Sequence, residues 1–85
     1  MVEQANVVTG IVTIMRERLG LFSSDIGDDD LRPIAETLVK MIRCSKAKRP
    51  LDQYVGSELN KLVIAPNPYA EIVDEACALV SNAPS

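Results

Sequence analysis

The hydrophobic residues of this chain recur at helical spacing in four successive segments. At about 100° per residue, the apolar side chains of a segment fall within one arc of roughly 160°, which is typical of an amphipathic helix. Glycine and proline separate the segments, because glycine favours the left-handed end of a helix and proline interrupts one. The pattern predicts an all-α fold, a compact bundle of four amphipathic helices at about residues 2–19, 31–45, 50–64 and 68–82.

The first helix, residues 2–19, has a competing interpretation. Residues 6–14 are rich in β-branched side chains and would also suit a strand. The length of the segment and the stop signal behind it favour a helix. Gly20 supplies the left-handed position after the helix, and we expect Leu21 to fold back onto Met15 as in a Schellman motif.

Capping residues predict where the other helices begin. We expect Asp30 to cap the second helix, with Pro33 at its third position, where the missing N–H costs nothing. Pro50 is expected to open the third helix, in which Gly56 lowers stability by about 1 kcal/mol relative to alanine. Asn67 is the predicted cap of the fourth helix.

The chain is long enough for a single domain, residues 1–85, and is near the lower size limit for a self-sufficient core. A chain of this length buries only about 60 to 65% of its unfolded surface. Two arrangements of the wide apolar faces therefore stay open. Each helix contacts two neighbours, or part of the apolar surface is reserved for another chain.

The composition excludes several kinds of chemistry. The chain has no histidine, so it has no imidazole to act as a general base near pH 7 or to ligate zinc. Cys44 and Cys77 cannot complete a four-cysteine zinc site, and we expect free thiols rather than a disulfide. We therefore expect that the protein is not an enzyme and that it binds neither a cofactor nor a metal ion. An enzyme based on carboxylates, lysine or Cys44 is the third-ranked alternative.

The sequence predicts neither a membrane span nor a signal peptide. No stretch approaches the ~18 consecutive apolar residues of a membrane span. The amino-terminal segment lacks the basic residues of a signal peptide, since Glu3 is its first charge. We expect a cytoplasmic protein with no membrane partner.

Four aspartates precede or open the second helix, at positions 25, 28, 29 and 30. A twelve-residue calcium loop beginning at Asp25 would place Gly27 at the third ligand position and Asp30 where the turn needs glycine. Acidic residues at a helix N-terminus interact favourably with the helix dipole. We therefore interpret this cluster as helix capping and not as a calcium site.

One short segment resembles a known family. The run Ile26-Gly27-Asp28-Asp29-Asp30-Leu31 is similar to the Leu-Gly-x-Asp-Ser-Leu motif of acyl carrier proteins, which are also small, acidic and four-helical. The resemblance covers six residues and the general helix pattern, and it implies the same architecture. Asp30 occupies the position where the family attaches phosphopantetheine to serine, so the resemblance implies no thioester arm. The loop before the motif is shorter than the family's, and the second helix ends basic where the family's ends acidic.

Charge is unevenly distributed along the chain, whose net charge is −3. Residues 1–22 are neutral overall, residues 23–36 carry −4, residues 37–49 carry +5 and residues 50–85 carry −4. The basic stretch complements the dipole of the helix that it ends, or it binds phosphates or an acidic partner. Its candidate binding residues are Arg43, Lys46, Lys48 and Arg49.

A nucleic-acid site would normally add stacking aromatic residues or a second basic element to such a stretch. The basic stretch contains no aromatic residue. If the third helix read DNA, Asp52 and Glu58 would face the phosphates, which is unfavourable. An acidic protein partner is therefore favoured, and nucleic acid is the alternative.

The fourth helix has an acidic side formed by Glu71, Asp74 and Glu75. Two interpretations are open, of which simple tolerance of acids in the first two turns is favoured over a docking face for the basic stretch of a second copy. Arg18 lies inside the apolar arc of the first helix. We expect it to snorkel, with its methylenes over the edge of the core, while pairing with residues 28–30 or with a partner's carboxylate is the alternative.

These observations predict a small non-enzymatic helical interaction module, such as an adaptor, regulatory or assembly subunit, that binds other protein chains and self-associates. The alternative is a nucleic-acid-binding regulator that uses the basic connector between helices two and three. The predicted partner-binding residues are Arg18, Arg43, Lys46, Lys48, Arg49, Glu71, Asp74 and Glu75.

Overall fold

The computed structural model describes residues 2–44, 47–62 and 68–82. These residues form no strand, so the predicted all-α class is confirmed and the strand alternative for residues 6–14 is wrong. The helices are α1 (Val2–Leu19), α2 (Asp28–Arg43), α3 (Lys48–Leu62) and α4 (Tyr69–Asn82), and a short 3₁₀ helix (Gly20–Ser23) follows α1.

The end of α1 differs in part from the prediction. Gly20 has a φ of 59°, as expected for the left-handed position. Leu21, however, is 90% exposed and does not cover Met15, so the predicted Schellman contact is wrong. The chain continues instead into the 3₁₀ helix, where the hydroxyl of Ser23 donates to the carbonyl of Gly20 at 2.8 Å. This local closure turns Leu21 towards solvent.

Helix α2 begins at Asp28, three residues before the predicted start, and its N-cap is Gly27. The prediction that Asp30 caps this helix is wrong, because the backbone closes the first turn without a side chain. The N–H of Asp30 donates to the carbonyl of Gly27 at 3.0 Å. Pro33 consequently occupies the sixth position of the helix and not the third. The acids still lie in the first turn, where the helix dipole favours them.

Helix α3 begins at Lys48, so the prediction that Pro50 opens it is also corrected. Pro50 lies at the third position, where its missing N–H removes no hydrogen bond, since the first four N–H groups of a helix have no partner within it. The earlier start moves Lys48 and Arg49 from the connector into the first turn of α3. The predicted cap Asn67 lies outside the described residues, and α4 begins at Tyr69.

Every helix packs against at least two others: α1 against α2 and α4, and α3 against α2 and α4. The core includes side chains from all four helices that are fully or almost fully buried, among them Ile11, Met15, Leu38, Leu59 and Ile72. Within the described residues the exposed large hydrophobic side chains are Leu21 and Tyr69. In the described residues, the apolar faces of the four helices are therefore mostly buried against neighbouring helices of the same chain, as in the first of the two expected arrangements.

Two glycines let α4 approach its neighbours closely. A β-carbon at Gly10 of α1 would lie 2.7 Å from Leu79, and one at Gly56 of α3 would lie 3.3 Å from the ring of Tyr69. The helix-weakening glycine noted in α3 is thus explained by packing, because the aromatic ring occupies the space of the missing side chain. Among the described residues, no helix has both the length and the apolar character needed to cross a membrane.

Candidate docking surfaces

The acidic side of α4 lies against Arg18 of α1. The guanidinium of Arg18 donates to Glu75 at 2.5 Å and to Glu71 at 3.4 Å. The hydrogen bond and the charge of Glu75 raise the pKa of Arg18 above its ordinary value. The head of this side chain is therefore paired within the chain, with carboxylates of α4 and not with residues 28–30. The expectation that its methylenes cover the edge of the core stays a prediction.

Lys48 makes a second link to α4. Its ammonium nitrogen lies 3.1 Å from a carboxylate oxygen of Asp52, one turn further along α3, and 3.3 Å from Asp74 of α4. The hydrogen bond that Lys48 donates to Asp52, and to a lesser extent the one to Asp74, raises the pKa of Lys48 despite an opposing contribution from desolvation. Lys48 thus connects the start of α3 to the middle of α4.

The three acids of α4 are consequently all paired with cations of their own chain. Arg18 lies between Glu71 and Glu75, so it relieves the repulsion that two carboxylates four residues apart would otherwise have. The acidic side of α4 joins α1 and α3 through these ion pairs. The sequence could not reveal this, because the pattern on α4 alone is compatible with tolerance of acids, docking and internal pairing.

The remaining candidate cations are differently placed. We call Arg43, in the last turn of α2, and Arg49, in the first turn of α3, the basic end. Both side chains are exposed, and neither makes an ion pair with any part of the chain that the structure describes. Lys46, the other candidate in this stretch, lies outside the described residues.

Helix electrostatics favours one member of the basic end and opposes the other. Arg43 complements the negative end of the α2 dipole, whereas Arg49 lies at the positive end of α3, whose first turn contains no acid. Lys48 stands at the same unfavourable end but is compensated by Asp52 and Asp74. Arg49 has no such compensation among the described residues, so local stability does not explain its position.

Arg16 is a structural residue that the sequence analysis missed. Its guanidinium donates to the carboxylate of Asp28 at 2.6 Å and to the carbonyl oxygens of Ser23 and Ile26 at 3.0 and 2.8 Å. It therefore fixes the connection between α1 and α2. The available signal was weak: a cation in the last turn of α1 and acids at the start of α2.

A shallow groove of about 180 Å³ runs between α2 and α3. Glu58 on its rim is held by Lys61 at 3.0 Å, whereas Asp30 has no ion pair within the described ranges. The groove combines an apolar floor with a charged rim, and its lining includes Asp30, Pro33, Ile34, Thr37, Tyr54 and Leu62.

Both cysteines are free thiols, as predicted. Cys44 is exposed at the C-cap of α2. Cys77 is partly buried on α4, and burial, with a smaller contribution from Asp74, raises its pKa. Across residues 2–44, 47–62 and 68–82, no cluster of three or more acidic or cysteine side chains is arranged to hold a metal ion.

Comparison of the chain with protein-family models, with curated proteins and with solved structures finds no significant match.

Proposed function

We propose that this chain is a small, non-enzymatic, cytoplasmic protein–protein interaction module, of the adaptor, regulatory or assembly-subunit kind. Its basic end binds the acidic surface of another protein chain. The observation that carries the proposal is the position of Arg49. It is an exposed cation in the first turn of α3, where the helix dipole disfavours positive charge, and no described residue forms an ion pair with it.

The division of charge supports an external role for the basic end. Arg18 and Lys48 are used within the chain, whereas Arg43 and Arg49 leave their charges available to solvent. Exposed charges of one sign attract an oppositely charged surface over roughly a Debye length and raise the rate of encounter. They also disfavour partners of like charge, so they contribute to specificity.

The arrangement favours a protein partner over nucleic acid. Single-stranded nucleic acid is usually held by aromatic side chains next to the cations. Here Tyr54 lines the groove between α2 and α3, and the ring of Tyr69 rests on Gly56. Neither tyrosine belongs to the turns that hold Arg43 and Arg49. A basic end without a stacking surface suits carboxylates better than bases.

The absence of histidine supports a non-enzymatic role, since the commonest general base is missing from the whole sequence. The ion pairs on α4 point the same way, because they engage Glu71, Asp74 and Glu75 with cations rather than leaving a carboxylate pair for proton transfer.

The proposal is tested by the binding of two fluorescent probes, an oligoglutamate and a DNA duplex of matched charge, measured by anisotropy at low salt. We expect the wild-type chain to bind the oligoglutamate. The double variant Arg43→Glu/Arg49→Glu should weaken that binding by at least about tenfold. The control is Arg32→Glu/Lys61→Glu, which changes the net charge equally at two cations outside the basic end and should retain most of the binding.

Each other outcome has a definite meaning. Equal loss in both double variants would show a response to net charge alone and would overturn the role of the basic end. Tighter binding of the duplex, falling steeply with salt, would instead support the nucleic-acid alternative. No binding of either probe at low salt would remove the electrostatic docking proposal.

A further inference from the structure

The outer side of α2 carries a straight row of residues at alternating spacings of three and four. We call this row the α2 seam, and it consists of Asp30, Pro33, Thr37, Lys40 and Cys44. Such spacing keeps side chains on one narrow stripe of a helix, as in the contact line of paired helices. Thr37 is half-buried and the other four residues are exposed. The seam therefore presents a continuous helical ridge to solvent beside the groove.

The two ends of the seam carry opposite charges. Asp30 and Lys40 are ten residues apart, or about 15 Å along the helix axis. Both are exposed, and neither has an ion-pair partner in the described part of the chain. Between them, Pro33 and Thr37 are uncharged. The seam thus runs from one negative group, over a neutral centre, to one positive group.

A row with this charge pattern is complementary to a second copy of itself that runs in the opposite direction. If a second copy lies antiparallel, Asp30 of each chain meets Lys40 of the other, about a two-fold axis near position 35. A parallel arrangement would place like charges together, which is unfavourable. An isologous contact also closes after two subunits. The two charges of the seam therefore favour an antiparallel pair of two copies.

The groove beside the seam gives the pairing an apolar component. Pro33 and Thr37 lie on both the seam and the lining of the groove, next to the partly buried side chains of Tyr54 and Leu62. A facing ridge of the same shape would cover these side chains. The rim does not oppose this contact strongly, because Glu58 is already neutralised by Lys61 at 3.0 Å.

We infer that the α2 seam is the surface on which two copies of this chain pair, antiparallel, with reciprocal ion pairs between Asp30 and Lys40. This rests on the proposed interaction function and specifies where self-association occurs. It uses a different surface from the basic end, since Arg43 projects roughly 100° around α2 from the centre of the seam.

The test is the solution mass of the full chain, measured by sedimentation equilibrium over a range of concentrations at low salt. The mass of the wild type should rise from 9.3 kDa towards twice that value. Asp30→Lys and Lys40→Glu should each raise the dissociation constant by about tenfold or more, because each variant reverses both pairs at once. Asp25→Lys and Arg32→Glu make the same charge changes outside both the seam and the basic end, and each should change the dissociation constant by less than about threefold.

Mixing the two seam variants sharpens the test. An equimolar mixture of the Asp30→Lys chain and the Lys40→Glu chain restores opposite charges at both contacts. The two substituted residues face each other at one contact, and the original Asp30 and Lys40 meet at the other. The mixture should therefore recover a dimer of nearly wild-type affinity, although neither variant dimerises well alone. Circular dichroism checks that both are folded; if Asp30→Lys is not, Asp30→Asn removes the charge without placing a cation in the first turn.

A cross-link tests the register independently. The test uses Thr37→Cys in a chain whose Cys44 is replaced by serine. In the antiparallel pair, the introduced thiols of the two copies would lie about 6 Å apart along the helix axes, whereas the Cys44 thiols of two wild-type copies would lie about 27 Å apart. Under mild oxidation the Thr37→Cys chain should form a disulfide-linked dimer much faster than the wild type does.

Several results would overturn the inference. These are a wild type that stays monomeric at every concentration, a dimer insensitive to both seam reversals, a mixture that does not recover, and a mixture that grows beyond two chains. If any of these occurs while the oligoglutamate still binds through Arg43 and Arg49, the proposed function stands and only the self-association surface fails.

Discussion

The paired cations Arg18 and Lys48 carry the same charge as Arg43 and Arg49 but have different surroundings. The first two lie within 3.4 Å of carboxylates on α4. The second two are exposed and lack an ion pair in the described ranges. Helix α4 lies against α1 and α3, so it can reach the first two cations. Position in the fold, and not the number of charges, separates a structural cation from one available to a partner.

The surface ion pairs of α4 and the apolar core beneath them contribute differently to the free energy of unfolding. Exposed ion pairs contribute little to stability, whereas buried apolar side chains contribute most of it. We therefore expect α4 to be held mainly by the core beneath it, with Arg18 and Lys48 as a small addition. Substitutions in the core and at the surface cations separate these contributions.

The largest effect should come from the core below the paired cations. Ile72 on α4 is fully buried, and Ile72→Ala should lower the free energy of unfolding by about 2–5 kcal/mol, because it removes buried methyl groups and leaves a cavity. Urea denaturation measures this loss. The control is Leu21→Ala, at a side chain that is 90% exposed, and it should stay within about 0.5 kcal/mol of the wild type. Similar losses in the two variants would contradict the packing of α4.

Each region also holds one thiol, and their reactivities should differ. Cys44 is exposed next to Arg43, whereas Cys77 is partly buried beside the paired cations and has a pKa raised by burial. A raised pKa leaves less of the reactive thiolate. Iodoacetamide should therefore alkylate Cys44 faster than Cys77, by roughly tenfold or more, as followed by peptide mass spectrometry near pH 8. Equal rates in the folded chain would place Cys77 in solvent and contradict the structure.

A smaller effect should distinguish the cations themselves. Arg18→Met removes the ion pairs with Glu71 and Glu75 and should lower the melting temperature at low salt. Arg49→Met removes a cation from the positive end of α3 and should leave the melting temperature unchanged or raise it. Differential scanning calorimetry measures both. High salt should reduce the effect of Arg18→Met on the melting temperature, since screening weakens exposed ion pairs. If Arg49→Met lowered the melting temperature as much as Arg18→Met does, the two cations would not differ in their structural role.

The smallest effect is a pH dependence of the link made by Lys48. Its pKa is raised in the folded chain by Asp52 and Asp74, so its stabilising contribution is fully present below the ordinary lysine pKa and is lost as the pH rises through the folded-state value. The difference in melting temperature between wild type and Lys48→Met should therefore shrink in the alkaline range. Arg18→Met is the control, because arginine keeps its charge there. A Lys48 difference that stays constant with pH would show that the charge is not involved.

The helices could be predicted from the sequence because apolar periodicity directly reflects which face of a helix is buried. Their first residues could not. Asp30 is a good capping residue by type, but the carbonyl of Gly27 closes the first turn with backbone N–H groups, so α2 starts earlier. Leu21 was misplaced for a similar reason, since Ser23 closes a local 3₁₀ turn that points the leucine outwards. At a helix end, several local hydrogen-bond arrangements compete, and they differ little in free energy.

The candidate sites were predictable only as blocks of charge. The sequence indicates which segments are acidic or basic, but it does not indicate that Arg18 meets Glu75, 57 positions away. That contact depends on how α1 and α4 pack. The same holds for the seam, because the packing of α2, and not the sequence, shows that Asp30 and Lys40 are exposed on the same side of that helix.

The most direct test of the central claim is to record the amide chemical shifts of the isotope-labelled chain while oligoglutamate is added. If Arg43 and Arg49 are the docking cations and the acids of α4 are structural, the largest shift changes should centre on the end of α2 and the start of α3. The amides of α4 should remain almost unchanged. Changes concentrated on α4, or spread evenly over the chain, would contradict the division between paired and unpaired charge.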